Sequence, residues 1–339
     1  MPALEEQGNQ VLQYSPSEGD PELREVLAAH LSVRGIPALP DEILLTNGSQ
    51  HGLDLVAKAL LDPGDAVLVE DPTYLGALQA FRPYRPRLVP VPSDDEGVLP
   101  EALASALATE HPKLVYLMPT FQNPRGTSMG LGRRAAVAEV CRAADVALVE
   151  DDPYGELRYR REPLPGLRHY WDQAIYLGTF SKTLAPSLRL GWVAAPPTLM
   201  PALTLGLQST CLNVGALTQR VAAMMLRGRE YPGHLQRLRT AYGERMLCML
   251  EQLRTHFPCG TTWSEPDGGL FIWVGLPDRL RSLDLLPAAL DQGVAFVPGE
   301  PFFASGGGES NLRLNFSNST PEQIVEGMAR LDRTWRSLR

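Results

Sequence analysis

Seven short apolar runs, most of them followed by a turn or a stretch of helical periodicity, constrain this chain more than any other feature. They are EILLT (Glu42–Thr46), AVLVE (Ala66–Glu70), RLVPV (Arg87–Val91), KLVYLMP (Lys113–Pro119), DVALVE (Asp145–Glu150), AIYLGTF (Ala174–Phe180) and LGWVAA (Leu190–Ala195). Runs this short, with no polar alternation, read as strands buried on both faces. Segments such as HGLDLVAKALL, LPEALASALATE and GRRAAVAEVCRAA separate several of them with apolar residues at helical spacing. The pattern predicts an α/β fold: a mostly parallel sheet covered by helices. A capped helix precedes the first run, with Asp20 at the cap, Pro21 at the first position, then ELREVLAAHL, and Gly35 just past the end.

From Glu230 the pattern changes. EYPGHLQRLRTAYGERMLCMLEQLRTHF reads as one long amphipathic helix, followed by a hairpin-like pair of runs around Asp267-Gly268-Gly269. LDLLPAALDQG, VAFVP, NLRLNFS and a last helix, TPEQIVEGMARLDRTWRSL, complete an α+β region. A chain of 339 residues accommodates two domains. The expected organisation is an N-terminal segment 1–38, a large domain 39–232 and a small C-terminal domain 233–339, with the boundary near Tyr231 to His234.

Charge and punctuation narrow the partners. Lys and Arg number 31 against 39 Asp and Glu, a net charge of −8, which argues against nucleic acid as a partner. The uncharged stretch Leu190–Gln219 is long enough for a membrane span, but Gly191, Pro196, Pro197, Pro201, Gly206 and Gly215 break it. A buried strand, a loop and a helix are expected there instead, and no membrane. Cys141, Cys211, Cys248 and Cys259 show no CxxC spacing and read as reduced thiols of a cytoplasmic protein. MPALEEQGNQ lacks the basic and apolar regions of a signal peptide.

Ligands in open α/β sheets bind beyond the carboxyl ends of the strands, so the residues there are the candidates. Asn47-Gly48-Ser49-Gln50 follows the first run and opens a helix, which makes either an anion site or an ordinary helix cap. Thr120-Phe121-Gln122-Asn123-Pro124-Arg125-Gly126 follows KLVYLMP. Asp151-Asp152-Pro153-Tyr154 follows DVALVE, and with no His or Cys beside it no metal is expected. Ser181-Lys182-Thr183 follows AIYLGTF. Only three of the basic residues are lysines, Lys58, Lys113 and Lys182. Arginine stays protonated and forms no imine, so any amine chemistry rests on those three. Lys58 sits at ordinary amphipathic spacing and Lys113 opens a strand. Lys182, among apolar and hydroxyl neighbours, is the best imine candidate. A phosphate cradle, a strand-end Asp, a Tyr, this lysine and Arg189 together suit one cofactor, pyridoxal phosphate.

GTFSKTLAPSLRLGW, ILLTNGSQHGLDL, PTFQNPRG, VEDDPYGELRY and NLRLNFS resemble the class I/II aminotransferases of the aspartate aminotransferase fold. The similarity is closest to bacterial 2-aminoadipate aminotransferases, kynurenine/aminoadipate aminotransferases and the aminotransferase-like half of MocR-type regulators. LQYSPSEG and VAFVPGEPFFASGGGESNLRLNFS extend it over nearly the whole chain. The resemblance implies a pyridoxal-phosphate-dependent homodimer that exchanges the amino group of an amino acid with a 2-oxo acid such as 2-oxoglutarate. The amino acid would be 2-aminoadipate, glutamate, an aromatic or a branched-chain one, as in lysine biosynthesis and other amino acid metabolism. It implies that Lys182 holds the cofactor as an imine and shuttles the proton, and that Asp151 pairs with the pyridine nitrogen. Tyr154 and Asn123 would bond the phenolic oxygen, and Tyr74 would stack on the ring. Gly48, Ser49, Gln50, Thr179, Ser181 and Arg189 would hold the phosphate, joined by Tyr14 from the partner subunit. Arg313 and Asn123 would bind the substrate. By period-2 alternation alone, Arg313 is equally a strand arginine facing solvent.

Two departures from the family pattern stand out. The chain begins at MPALEEQGNQ, whereas relatives carry a Gly-rich segment before QYSPSEG that lines the pocket, so a more open pocket is expected. In QSTCLNVGALTQR (Gln208–Arg220) no pocket residue is matched. A PLP β-lyase on the same scaffold, and a ligand-sensing or vestigial relative without turnover, are the alternatives.

Overall fold

The computed structural model describes residues 8–277 and 280–337. Residues 1–7, on which the expectation about the leader largely rests, lie outside them, as does the last residue of the expected final helix, Leu338.

The apolar runs form one seven-stranded sheet. Its strands are β1 (Ile43–Thr46), β2 (Ala66–Glu70), β3 (Arg87–Val91), β6 (Leu114–Leu117), β7 (Ala147–Asp151), β8 (Ile175–Thr179) and β9 (Gly191–Ala194). The hairpin β4 (Ser93–Asp94) and β5 (Gly97–Val98) stands apart. The order across the sheet is β1-β9-β8-β7-β6-β2-β3. Neighbours from β8 to β3 are parallel, and β9 runs antiparallel to both β8 and β1. Helices or loops join the strands of the parallel run, as the strand–helix rhythm predicts, whereas residues 180–190 join β8 to β9 at one edge of the sheet.

Alternation assigns each face. Val67 and Val69, Leu114 and Tyr116, and Val149 join the helices Pro21–Val33, Ser49–Leu60 and Met200–Cys211 in one core. Leu68, Val115, Leu117 and Leu148 point the other way, against the helices Pro100–Glu110 and Leu131–Ala143. Pro90 lies in β3, an edge strand, where its missing N–H removes no ladder bond on the outer side. The first helix is capped as its sequence predicts: Leu23 N donates to the Asp20 carboxylate at 3.1 Å, and Gly35 takes φ +71°.

The uncharged stretch forms β9 and then two helices, Met200–Cys211 and Ala216–Arg227, rather than one. Leu212 at φ +62° ends the first of them. No helix among the described residues is long and apolar enough to cross a membrane.

The C-terminal region builds a four-stranded antiparallel sheet in the order β10 (Thr262–Trp263), β11 (Phe271–Gly275), β13 (Asn311–Asn315), β12 (Val297–Pro298). Helices Glu230–His256 and Pro321–Ser337 cover one face around Met246, Leu250, Leu312, Leu314 and Trp335. The helix Glu230–His256 passes unbroken between the two cores. Leu238 and Tyr242 pack on the large one, Met249 and Leu253 in the small one. A second link joins Arg158 to Gly268 by a β-bridge, with Tyr159 N donating to Asp267 O at 2.8 Å.

Candidate active site

The carboxyl ends of β1, β6, β7 and β8 open onto a single cleft of about 560 Å³, counted to its mouth. Gly48, Ser49, Gln50, Tyr74, Asn123, Asp151, Tyr154, Thr179, Ser181, Lys182 and Arg189 all line it. These residues come from segments far apart in the sequence. The parallel sheet brings them together by ending each strand at one edge.

One end of the cleft is built for an anion. Gly48, at φ +85°, caps the helix Ser49–Leu60 and leaves its first N–H groups unbonded within the helix. The Arg189 guanidinium spans the gap between two loops, donating to Asn47 O at 3.3 Å and to Ser181 Oγ at 3.5 Å. The fit leaves no space for added atoms. A Cβ on Gly48 would stand 2.8 Å from Arg189 Nη2, and one on Gly191 would stand 2.7 Å from the Ser49 backbone nitrogen. Thr179 Oγ1 accepts from Ser181 N at 3.2 Å, which shapes the turn that carries Lys182.

Asp151 closes the deep end. It is fully buried, and Tyr116 donates to its Oδ2 at 2.9 Å. Its Oδ1 is buried with no hydrogen-bond partner. Burial pushes this carboxyl up to about 7, against the downward pull of the Tyr116 bond, and the neighbouring Asp152 adds to the rise. A buried carboxylate oxygen without a partner is costly, and a cationic N–H donor placed there would relieve it.

Lys182 lines the same cleft. Burial draws its amine below the usual lysine value, and the Arg189 and Arg313 guanidiniums lower it further. Lys58 and Lys113 are exposed on the surface. Geometry therefore separates the three lysines as the sequence does.

Arg313 does not line the cleft itself but reaches its rim. Its Nη1 donates to Asn123 Oδ1 at 2.7 Å. The guanidinium lies 3.9 Å from the Phe271 ring centroid and 5.1 Å from that of Phe302. The residue is partly buried, not solvent-facing, because the second face of the small sheet packs onto the large unit. Tyr14 lies elsewhere: it is 82% exposed, on the surface beside Cys211 and Asn213.

Several further contributors are not singled out by the sequence reading. Met118, Pro153 and Pro186 complete the lining. Glu70, buried at the end of β2 and pushed up to about 8 by burial, accepts from Met118 N at 2.8 Å. The buried Arg134 donates to Pro119 O at 2.7 Å and Thr120 Oγ1 at 2.8 Å. Gln122 Nε2 donates to Pro72 O at 2.7 Å. Together these fix the loop that presents Asn123. Charged residues in fully apolar surroundings, as in AVLVE, were the available signal: such groups need partners when buried. Among the described residues no cluster of His, Cys, Asp or Glu is arranged to hold a metal.

Comparisons with known proteins show the family. The family profile for aminotransferases of class I and II matches residues 2–331. Aromatic-amino-acid aminotransferase 1 of Thermococcus litoralis is 41% identical, over 98% of this chain and 81% of its own length. The crystal structure of LysN, the α-aminoadipate aminotransferase of Thermus thermophilus complexed with N-(5′-phosphopyridoxyl)-L-leucine, superposes with a TM-score of 0.94 at 40% identity, covering 99% of this chain and 86% of that one. An HTH-type transcriptional regulator of Escherichia coli, YdcR, is 34% identical over 92% of this chain and 68% of its own length.

Proposed function

We propose, for a chain that belongs to the class I and II aminotransferases, that its amino-group donor is 2-aminoadipate, glutamate, an aromatic or a branched-chain amino acid, and its acceptor a 2-oxo acid such as 2-oxoglutarate. The chain is a pyridoxal-phosphate-dependent aminotransferase. The substrate reading draws on two relatives, one named for aromatic amino acids and one for α-aminoadipate. The observation that carries the site reading is the cleft itself: a partly buried amine whose pKa is drawn below the usual lysine value, an unpartnered buried carboxylate oxygen and a candidate anion cradle at strand ends.

The residues present fit the cofactor. Gly48, Ser49, Gln50, Thr179, Ser181 and Arg189 would take its phosphate, Asp151 Oδ1 its protonated ring nitrogen, and Asn123 and Tyr154 its phenolic oxygen. Tyr74 and Pro153 line the same cleft and would flank the ring. When bound, pyridoxal phosphate supplies an aldehyde that takes up amines and a ring that accepts the electron pair released at the substrate Cα.

The chain's own part is to hold groups and move protons. Lys182 Nζ, whose proton affinity burial lowers, would be the nucleophile toward the aldehyde and the base that takes the proton from Cα. Asp151 would favour a positive charge on the ring nitrogen by presenting the opposite one. Arg313 grips the α-carboxylate in a two-pronged bond. Its bond to Asn123 Oδ1 leaves the Asn123 amide N–H₂ to donate elsewhere in the cleft. Tyr14, exposed on the protomer, suits a role in the site of a second copy, and a cytoplasmic homodimer is part of this reading.

The test is an absorbance titration of the loaded protein with glutamate, 2-aminoadipate, leucine and phenylalanine. Conversion of the visible band to the pyridoxamine form, reversed by 2-oxoglutarate, is expected with at least one of them. A band unmoved by the whole panel would overturn transamination in favour of ligand sensing. Pyruvate and ammonia release without an oxo acid would favour the β-lyase.

Asp151 also predicts a pH effect on stability once the cofactor is dialysed away. Its folded value, about 7, lies above the ordinary 3.8, so the unfolded chain ionises first as pH rises. The folded state binds the extra proton, and Asp151 costs stability progressively as pH rises from near 4 to near 7. Asp151→Asn removes that cost. It should raise the melting temperature by more at about pH 8 than at about pH 5. Equal shifts at both pH values would contradict the burial argument.

A further inference from the structure

We propose that Tyr116 is a positioning residue for the reaction: its hydroxyl pins Asp151 Oδ2 and so reserves Oδ1 for the cofactor's ring nitrogen. The inference rests on the reading of Asp151 given above. Tyr116 belongs to β6 and pairs with Val149 of β7, two residues before Asp151. It is fully buried, and Phe81 packs against its ring edge-on, with centroids 5.6 Å apart and planes at 80°. A phenol wedged in this way has little freedom left, since tyrosine has only two side-chain torsions and packing restrains both.

An aspartate by itself rotates, and its two oxygens are interchangeable. With Oδ2 accepting from Tyr116 at 2.9 Å, the carboxylate plane is set before any ligand arrives, and only Oδ1 lacks a partner. Nearby charge makes that restraint useful. Asp152 follows directly, and it is held separately by Arg34 Nη2 at 2.9 Å and by the Tyr176 hydroxyl at 2.8 Å. Each of two successive carboxylates thus accepts from a tyrosine of a different flanking strand, β6 or β8. The pairing keeps the two groups from sharing donors. Tyr74 and Tyr154 also feel the Asp151 charge across the cleft, and neither hydrogen-bonds it among the described residues. Tyr116 is therefore the group through which the protein controls this carboxylate.

The experiment is a mutant cycle on the holoenzyme with two readouts: steady-state kinetics, and the rate at which the visible band is lost on dilution into buffer free of cofactor. Tyr116→Phe keeps the ring and removes the hydroxyl. A hydrogen bond to a charged group is worth roughly tenfold or more. Tyr116→Phe should lower kcat about tenfold with KM nearly unchanged, and speed cofactor loss about tenfold. In an Asp151→Ala background the same substitution should change the loss rate by less than about twofold, because its target is gone. An equal effect in both backgrounds would show that Tyr116 acts through packing alone and would overturn the proposal. So would a Tyr116→Phe enzyme with parental kcat and cofactor retention, beside an impaired Asp151→Ala. Should Asp151→Ala itself keep its cofactor and turn over normally, the assignment of Asp151 fails, and this inference with it.

Discussion

Lys182→Ala is expected to lose the visible band on dialysis and to lower turnover by roughly 10⁴-fold or more, because in the proposed mechanism one side chain serves both as the nucleophile and as the proton carrier. Burial and two nearby guanidiniums lower the proton affinity of its amine, and alanine leaves nothing in its place. Lys182→Arg is the informative companion. It preserves charge and much of the volume, yet its guanidinium stays protonated and forms no imine, so it should be as inactive as alanine. The measurement is an absorbance spectrum after exhaustive dialysis, followed by single-turnover mixing with the best substrate. A persistent band in Lys182→Ala would transfer the role to Lys58 or Lys113, both of which are exposed and neither of which lines the cleft.

The second large effect is expected at Arg313. Arg313→Gln should reduce kcat/KM roughly a hundredfold or more, since it removes one partner of a partly buried, charge-assisted pair. Every α-amino acid carries the same carboxylate, so the loss should be of similar size for acidic, aromatic and branched-chain substrates. That uniformity is the test. A loss confined to one class would make Arg313 a side-chain selector instead. Arg313→Lys should recover little. The flat guanidinium between the Phe271 and Phe302 rings is matched by shape as well as by charge, and a lysine ammonium has neither the plane nor the fork.

Strands and site were unequally legible in the sequence. The seven apolar runs became seven strands because burial on both faces leaves a signature that needs no neighbour to interpret it. Gly48, Asp151, Lys182 and Arg189 were legible for a related reason: they cluster where runs end, and the ends of parallel strands are where ligands bind. Arg313 was ambiguous because alternation reports which face a residue takes, not what covers that face. The Phe271 and Phe302 rings that enclose it come from separate segments of the chain. Tyr116 was missed outright. It reads as one more apolar residue in KLVYLMP, and its partner lies 35 positions on, across a strand pairing that one sequence does not disclose. A phenol among aliphatic residues was the only hint, since a buried hydroxyl requires an acceptor. The break in the uncharged stretch follows from its prolines and glycines, but the second helix, Ala216–Arg227, was not separated from the first.

The reversed strand β9 has a consequence for how this protein can change length. Had β9 run parallel to β8, the chain would have needed a crossover of about a dozen residues or more, and Arg189 would have emerged at the opposite edge of the sheet. Reversal allows residues 180–190 to leave β8 and enter β9 at the same edge. The Lys182 amine and the Arg189 guanidinium are thus mounted on one short span, anchored at both ends by the ladder Thr179↔Gly191. Surface loops usually absorb insertions at little thermodynamic cost. This one is length-locked: an added residue would leave the sheet intact while moving Lys182 and Arg189 out of step with each other. Insertional scanning should therefore find a segment where folding is tolerant and function is not.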